Sequence, residues 1–222
     1  MRDLRADAHP FTLADVDLQE ANLQLYYRDP AGARFGRFDV LRNCLAKSNR
    51  KLLFATNAGI FNPDFTPCGL HVENGVVIAP LNQREGAGNF YMKPNGVFMI
   101  DDSGARIIDA RAYSFPPGNV HLAMQSGPLL VIDGQLNPQF AADSTSKRIR
   151  SGVGVVTPHR VVFLISREPV TFYEFAVVFR DTLECAQALY LDGEISAFYP
   201  TTGSSPQAAH EYVGILGVTP KR

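Results

Sequence analysis

The stretch Val170 to Ser196, V-T-F-Y-E-F-A-V-V-F-R-D-T-L-E-C-A-Q-A-L-Y-L-D-G-E-I-S, puts a helix directly before a buried strand that ends on a carboxylate. Phe172, Phe175, Ala176, Val178, Phe179, Leu183 and Ala186 recur at roughly helical spacing, and Thr171 with Glu174 has the pattern of a capping box. A helix is therefore expected over Val170 to Ala188. Leu189, Tyr190 and Leu191 then read as a short buried strand, and Gly193 ends it by permitting backbone angles closed to other residues. Asp192 is thereby aimed out of a strand end. With Glu194 and Ser196 close by, it is a candidate acid, base, nucleophile or metal ligand. The plain alternative is an ordinary Asp-Gly turn.

Outward from this stretch the chain is rich in strands. Phe11 to Tyr27 alternates polar and apolar residues, as two strands or one strand and its return would. Phe38 to Leu53 suits an amphipathic helix, and Leu52 to Ala55 a buried strand. From there to Ile165 short apolar runs alternate with turns, including an Asn74-Gly75 hairpin signal and the run G-V-G-V-V-T-P-H-R-V-V-F-L-I. The expected fold class is α+β, a single domain of mixed, mostly antiparallel sheets with a few packed helices. A chain of 222 residues with 45% hydrophobic side chains suits one domain over residues 1–222, its motif-bearing core at about 54–199.

A formal net charge of -1, from 21 Lys and Arg against 22 Asp and Glu, offers no basic field for nucleic acid and no polybasic membrane anchor. No apolar run approaches the ~20 residues of a bilayer span, and the opening M-R-D-L-R-A-D-A-H-P-F lacks the apolar core of a secretion signal. The chain as given is expected to be soluble, and either cytoplasmic or exported with its signal removed. Cys44, Cys68 and Cys185 are too few for a disulfide framework and share no C-x-x-C spacing. Cys68, between Pro67 and Gly69, could act as a nucleophile paired with His71; as a plain alternative it is a reduced thiol near the core.

Four Gly and Asn turns are candidates to share one pocket. In A-T-N-A-G-I-F-N-P-D, Asn57 can donate and accept while Gly59 lets backbone approach a ligand. In P-C-G-L-H-V-E-N-G, His71 and Glu73 fall on one face of a strand, as a catalytic pair or a surface ion pair. In M-Q-S-G-P-L-L-V, Gln125, Ser126 and Gly127 sit at a strand mouth, where hydrogen bonds to a sugar hydroxyl or an oxyanion are available. In S-K-R-I-R-S-G-V-G-V-V, Arg150 is the last charged side chain before a buried strand, and its planar fork suits a phosphate or carboxylate.

These turns, read as N-A-G-I-F at Asn57, P-C-G-L at Pro67, Q-S-G-P at Gln125, R-S-G-V-G at Arg150 and L-D-G-E-I-S at Leu191, resemble in order the motifs of the phosphodiester glycosidase domain family. That family includes an N-acetylglucosamine-1-phosphodiester alpha-N-acetylglucosaminidase catalytic domain. The runs G-N-F-Y-M-K-P-N-G-V-F at Gly88 and V-T-F-Y-E-F-A at Val170 are similar to an uncharacterised bacterial branch. Glu194 and Ile195 depart from the small residues that the better characterised members carry after the Asp-Gly pair.

The resemblance implies a hydrolase that cleaves the glycosidic bond of a sugar-1-phosphodiester, on a small-molecule or glycan substrate. The leaving phosphate monoester is already a stable anion, so the site must mainly hold it and stabilise an oxocarbenium-like sugar. Arg150 suits the first task, with backbone amides at Ser126 and Gly127. Asp192 suits the second. Glu73, Glu194 and His71 compete for the remaining acid or base role, and Asn57, Gly59, Gln125, Gly193 and Ser196 are the other substrate-binding candidates. No cofactor is required by this chemistry, and a divalent metal at the carboxylates stays open because no spacing compels one. The rival class is a carbohydrate or nucleotide-sugar binding protein that kept the pocket without turnover. Oligomeric state is left unassigned.

Overall fold

The computed structural model describes residues 1–114, 119–193, 195–200 and 211–221. Three sheets carry the chain, and every strand pairing among the described residues is antiparallel. The first has seven strands: β1 (Arg2–Ala6), β2 (His9–Asp17), β10 (Leu129–Ile132), β11 (Gln135–Leu136), β12 (Ser151–Thr157), β13 (Arg160–Ser166) and β14 (Gln187–Asp192). Their order is β1-β2-β13-β12-β14-β10-β11. The second, ordered β15-β4-β16-β3, joins β3 (Ala21–Tyr26), β4 (Phe54–Asn57), β15 (Phe198–Tyr199) and β16 (Ile215–Pro220). The third, ordered β6-β5-β9-β7-β8, joins β5 (His71–Glu73), β6 (Val76–Ala79), β7 (Gly96–Asp101), β8 (Gly104–Asp109) and β9 (Val120–Ser126). The fold is α+β, as its strand-rich pattern implies.

The inner faces of all three sheets meet in one core that includes Phe54, Phe98, Phe163, Leu189, Leu191 and Leu216. Alternate residues of β14 point the other way, where Ala188 and Tyr190 pack with Phe175 and Phe179. Those two phenylalanines come from α2 (Phe172–Val177) and the π-helical turn Val178–Thr182 that follows it. Their rings fit because β12 carries glycine beneath them: a Cβ on Gly152 would lie 3.0 Å from Phe175, and one on Gly154 2.8 Å from Phe179. Burying each ring contributes about 1.5–3 kcal/mol, which fixes the helix to this sheet face.

The capping box is present, with Thr171 Oγ1 accepting from the Glu174 amide at 3.1 Å and Glu174 Oε2 accepting from the Thr171 amide at 2.7 Å. The helix is shorter than the period suggests, since Val178 to Thr182 widens into the π turn and Glu184 takes a positive φ of 54°. Packing of Phe179 and Cys185 on the glycine track of β12 overrides the helical repeat. Likewise Phe11 to Tyr27 does supply two strands, but they do not return on each other. β2 pairs with β1 and β13, whereas β3 leaves for the second sheet and pairs with β16. The first helix, α1 (Phe38–Lys47), buries Phe38, Leu41 and Leu45 against the second sheet, with Tyr212 stacked on Phe38 at 4.5 Å. Asn74 and Gly75 both have positive φ and turn β5 into β6, as an Asn-Gly hairpin requires.

Candidate active site

The ends of strands from all three sheets converge around Asp192. Its residue sits opposite Ser151 in the β12–β14 pair, and a register shift between Ser151 and Gly152 re-aims the strand end there. The Asp192 Oδ1 accepts from the Ile195 amide at 3.2 Å, closing the turn that its carboxylate caps. Its carbonyl oxygen lies 2.7 Å from Ser196 Oγ and 3.3 Å from Ser151 Oγ. Asn57, at the end of β4, completes this cluster: its Oδ1 accepts from the Ala197 amide at 3.2 Å and its Nδ2 donates to Ser151 Oγ at 3.3 Å. Ser126, at the end of β9, donates its hydroxyl to the Leu191 carbonyl at 3.2 Å. Asn57, Ser126, Ser196 and Gly193 are thus brought to Asp192, and Ser151 is a member that sequence patterning missed, its alternation reading only as the first residue of a buried strand. Glu194 lies outside the described residues.

His71 and Glu73 form a pair on β5, with His71 Nε2 2.7 Å from Glu73 Oε1. The histidine is 3% exposed, and the Tyr27 ring lies 5.7 Å away. It lines a narrow pocket with Ala58, Gly59, Gly69, Gln125 and Gly214. That pocket and the Asp192 cluster are joined through β9, where Met124 opposes His71 and Ser126, two residues on, bonds Leu191.

Gln125 has a different use from the one its position suggests. Its Oε1 accepts from the amides of Leu70 at 3.1 Å and Asn82 at 2.9 Å, and its Nε2 donates to the Asn82 carbonyl at 2.7 Å. Both ends of the amide are committed to backbone. Gly69 makes room for this staple, because a Cβ there would lie 2.3 Å from Oε1, while a Cβ on Gly59 would lie 2.6 Å from the Gln125 backbone carbonyl oxygen. Gly127 packs on Asn95 and Phe90 in the same way.

Arg150 is 2% exposed and lies on the α2 side of the first sheet. Its Nε donates to the Val170 carbonyl at 2.9 Å, its Nη2 to Ser146 at 3.0 Å, and its guanidinium stacks 3.6 Å over the Phe172 ring. Among the described residues no carboxylate forms an ion pair with it. Burial lowers its pKa from the ordinary arginine value, with Tyr190 opposing. Lys147 instead pairs with Glu174 at 3.1 Å. Cys68 is half-buried 3.8 Å from the Tyr91 hydroxyl, and burial pushes its thiol up, against the pull of Tyr91 and Arg84. A thiol raised in this way is a weak nucleophile at neutral pH, and the Nε2 of His71 is taken by Glu73.

A family model described as phosphodiester glycosidase matches residues 50–211. The chain belongs to the phosphodiester glycosidase family. It is 32% identical over 206 residues to the uncharacterised protein YigE of Escherichia coli strain K12, covering 93% of this chain and 80% of that one. Its fold is similar to the zebrafish N-acetylglucosamine-1-phosphodiester alpha-N-acetylglucosaminidase catalytic domain, solved auto-inhibited by its pro-peptide, with a TM-score of 0.66 at 15% identity over 100% of this chain and 81% of that one. A hypothetical protein from Synechocystis superposes with a TM-score of 0.61 at 14% identity, over 99% of this chain and 61% of that one. A putative exported protein from Burkholderia pseudomallei K96243 gives 0.57 at 12% identity, over 95% of this chain and 74% of that one. Among the described residues no helix is long and apolar enough to cross a membrane, and no three His, Cys, Asp or Glu side chains gather as metal ligands would.

Proposed function

We propose that this protein hydrolyses the glycosidic bond of a sugar-1-phosphodiester, releasing a sugar and a phosphate monoester, with Asp192 at the reacting centre. The observation that carries the reading is the placement of Asp192 at the end of β14 opposite Ser151, the residue that follows Arg150, in a chain of the phosphodiester glycosidase family. Tyr190 lies on the face of β14 covered by α2 and Arg150, and the register shift between it and Asp192 re-aims the carboxylate, whose charge still acts on the Tyr190 hydroxyl. A carboxylate and a guanidinium with no carboxylate partner among the described residues, at neighbouring strand ends, match a substrate that develops positive charge at the sugar and carries negative charge on the leaving group.

In this mechanism Asp192 stabilises the oxocarbenium-like carbon, while Arg150 with the turn amides holds the phosphate. A phosphate monoester leaves as a stable anion, so little proton donation is needed. The His71–Glu73 pair, at its internal distance of 2.7 Å, is the candidate to activate water. The ligands named by the zebrafish relative, N-acetylglucosamine on a phosphodiester, head the list of substrates to try.

The test is a panel of sugar-1-phosphodiesters and nucleotide sugars, assayed for released reducing sugar with the parent and with Asp192→Asn. Release by the parent and its loss in the variant support the reading. Binding of a sugar phosphate without any product from the parent would make the protein a binder and overturn it.

A further inference from the structure

Tyr190 is fully buried, yet among the described residues its hydroxyl has no acceptor, although the Arg150 and Asn89 side chains approach its oxygen as donors. A buried hydroxyl left without an acceptor costs about 1–3 kcal/mol, and phenylalanine would fill the same space without that cost. The ring is well held, with Phe172 edge-on at 4.9 Å and the Arg150 guanidinium 5.6 Å from its centroid. At the hydroxyl itself the Asp192 turn comes so close that a Cβ on Gly193 would lie 2.1 Å from the oxygen. Asn89, an exposed residue opening the 3-10 turn Asn89–Tyr91, also reaches toward this oxygen. Burial raises the hydroxyl far above the ordinary tyrosine range, and the charge of Asp192 adds to the effect, so the group stays a neutral donor.

Three polar groups therefore come together beside Asp192: a guanidinium with no carboxylate partner and a hydroxyl with no acceptor among the described residues, and a side-chain amide. All can donate, and none brings a negative charge. We propose that Tyr190, with Arg150 and Asn89, forms a donor set for a tetrahedral oxyanion, the phosphate of the ligand that occupies the Asp192 site. The exposed Asn89 side is the entry, and the hydroxyl is kept because the ligand supplies its acceptor. This extends the function proposed above by naming the residues that take the phosphate, and it rests on that reading only for the sugar attached to it.

The experiment measures binding of inorganic phosphate and of a sugar 1-phosphate by calorimetry at one fixed ionic strength, with the parent, Tyr190→Phe and Asn89→Ala. Tyr190→Phe is expected to keep or raise the melting temperature, since the lost hydroxyl has no acceptor among the described residues, while both phosphates bind about ten-fold more weakly. Asn89→Ala, at an exposed site, is expected to keep its stability and lose several-fold in affinity. Affinity unchanged in Tyr190→Phe, a melting temperature lower by several degrees, or a parent that binds neither phosphate would each overturn the proposal. Its failure is separable from that of the hydrolase reading: phosphate binding that depends on Tyr190 without any product sinks only the latter, and product release unaffected by Tyr190→Phe sinks only the former.

Discussion

Gln125 and Asp192 occupy equivalent places, each a polar residue where an apolar strand meets a glycine turn, and the fold uses them in opposite ways. Gln125 spends its amide on three backbone groups of Leu70 and Asn82, locking two loops to β9. Around Asp192 the backbone is satisfied by Ser151, Ser196 and Asn57, while among the described residues the Tyr190 hydroxyl has no acceptor and the Arg150 charge no carboxylate partner. A strand-mouth polar residue is thus structural when the fold consumes its hydrogen-bonding capacity, and a site candidate when capacity is left over around it. The contrast can be broken by mutation, because it assigns turnover to one cluster and stability to the other.

The largest effect is expected at Asp192. Asp192→Asn keeps the shape of the turn but removes the charge, so kcat should fall by about a thousand-fold or more, equivalent to about 4 kcal/mol of transition-state stabilisation. Its melting temperature should stay within a few degrees of the parent. Activity within a few-fold of the parent would place the carboxylate among the structural polar groups and erase the contrast. Gln125→Ala is its mirror image. Leaving the Leu70 and Asn82 amides without an acceptor should destabilise the protein by about 2–4 kcal/mol in urea unfolding, with kcat/KM of the folded protein for the proposed reaction changed no more than a few-fold. A stable variant with lost turnover would return Gln125 to the substrate.

Much of this division could be read before the structure, and the part that could not has a physical reason. The strand at Leu189 to Leu191, the hairpin at Asn74-Gly75 and the capping box at Thr171 are local, set by residues a few positions apart, and each forms where its pattern lies. Partner choice is not local: nothing in Phe11 to Tyr27 says that β2 and β3 will enter different sheets, since their partners β13 and β16 lie far along the chain. β1, mostly exposed at the sheet edge, has too little apolar periodicity to announce itself. At the site, Asp192 stood out because a carboxylate after an apolar run is unusual, whereas Tyr190 inside that run looks like core. Its packing is indeed core, and only three-dimensional accounting shows its hydroxyl without an acceptor among the described residues. Gln125 shows the converse, since the backbone groups that claim its amide come from loops around Leu70 and Asn82, beyond the reach of local pattern.

Arg150 sharpens the comparison, since it is both packed and charged. Arg150→Lys keeps the charge but loses the planar fork, the stack on Phe172 and at least one carbonyl bond, so some stability should go, about 1–3 kcal/mol. Beyond that loss, kcat/KM for a phosphodiester should fall about ten-fold further than for an uncharged glycoside, measured in parent and variant at one salt concentration. Equal losses on both substrates would make Arg150 a second Gln125, a residue that serves the fold alone.

The smallest effect concerns Glu174, which separates the frame around Arg150 from the site itself. Burial works against its charge, but the Thr171 amide and Lys147 overcome this, and its pKa lies below the ordinary carboxylate value of 4.5. A carboxylate whose folded-state pKa is depressed contributes stability above its unfolded pKa and loses it as pH falls through the folded one. Stability should accordingly decline below about pH 4.5 in the parent, and Glu174→Gln should remove that part of the slope. The glutamine can still accept from the Thr171 amide, so the loss at neutral pH should be under about 1 kcal/mol, the part owed to Lys147 at 3.1 Å and His9 at 3.7 Å. Because the Val170 carbonyl beside this cap receives Arg150 Nε at 2.9 Å, a frame that moved with the cap would carry the guanidinium with it. Urea unfolding from pH 3 to 7 together with kcat/KM at pH 7 decides the matter: a small stability change with unchanged kcat/KM keeps Glu174 in the frame, and a large fall in kcat/KM would mean that the helix cap positions Arg150 for its ligand.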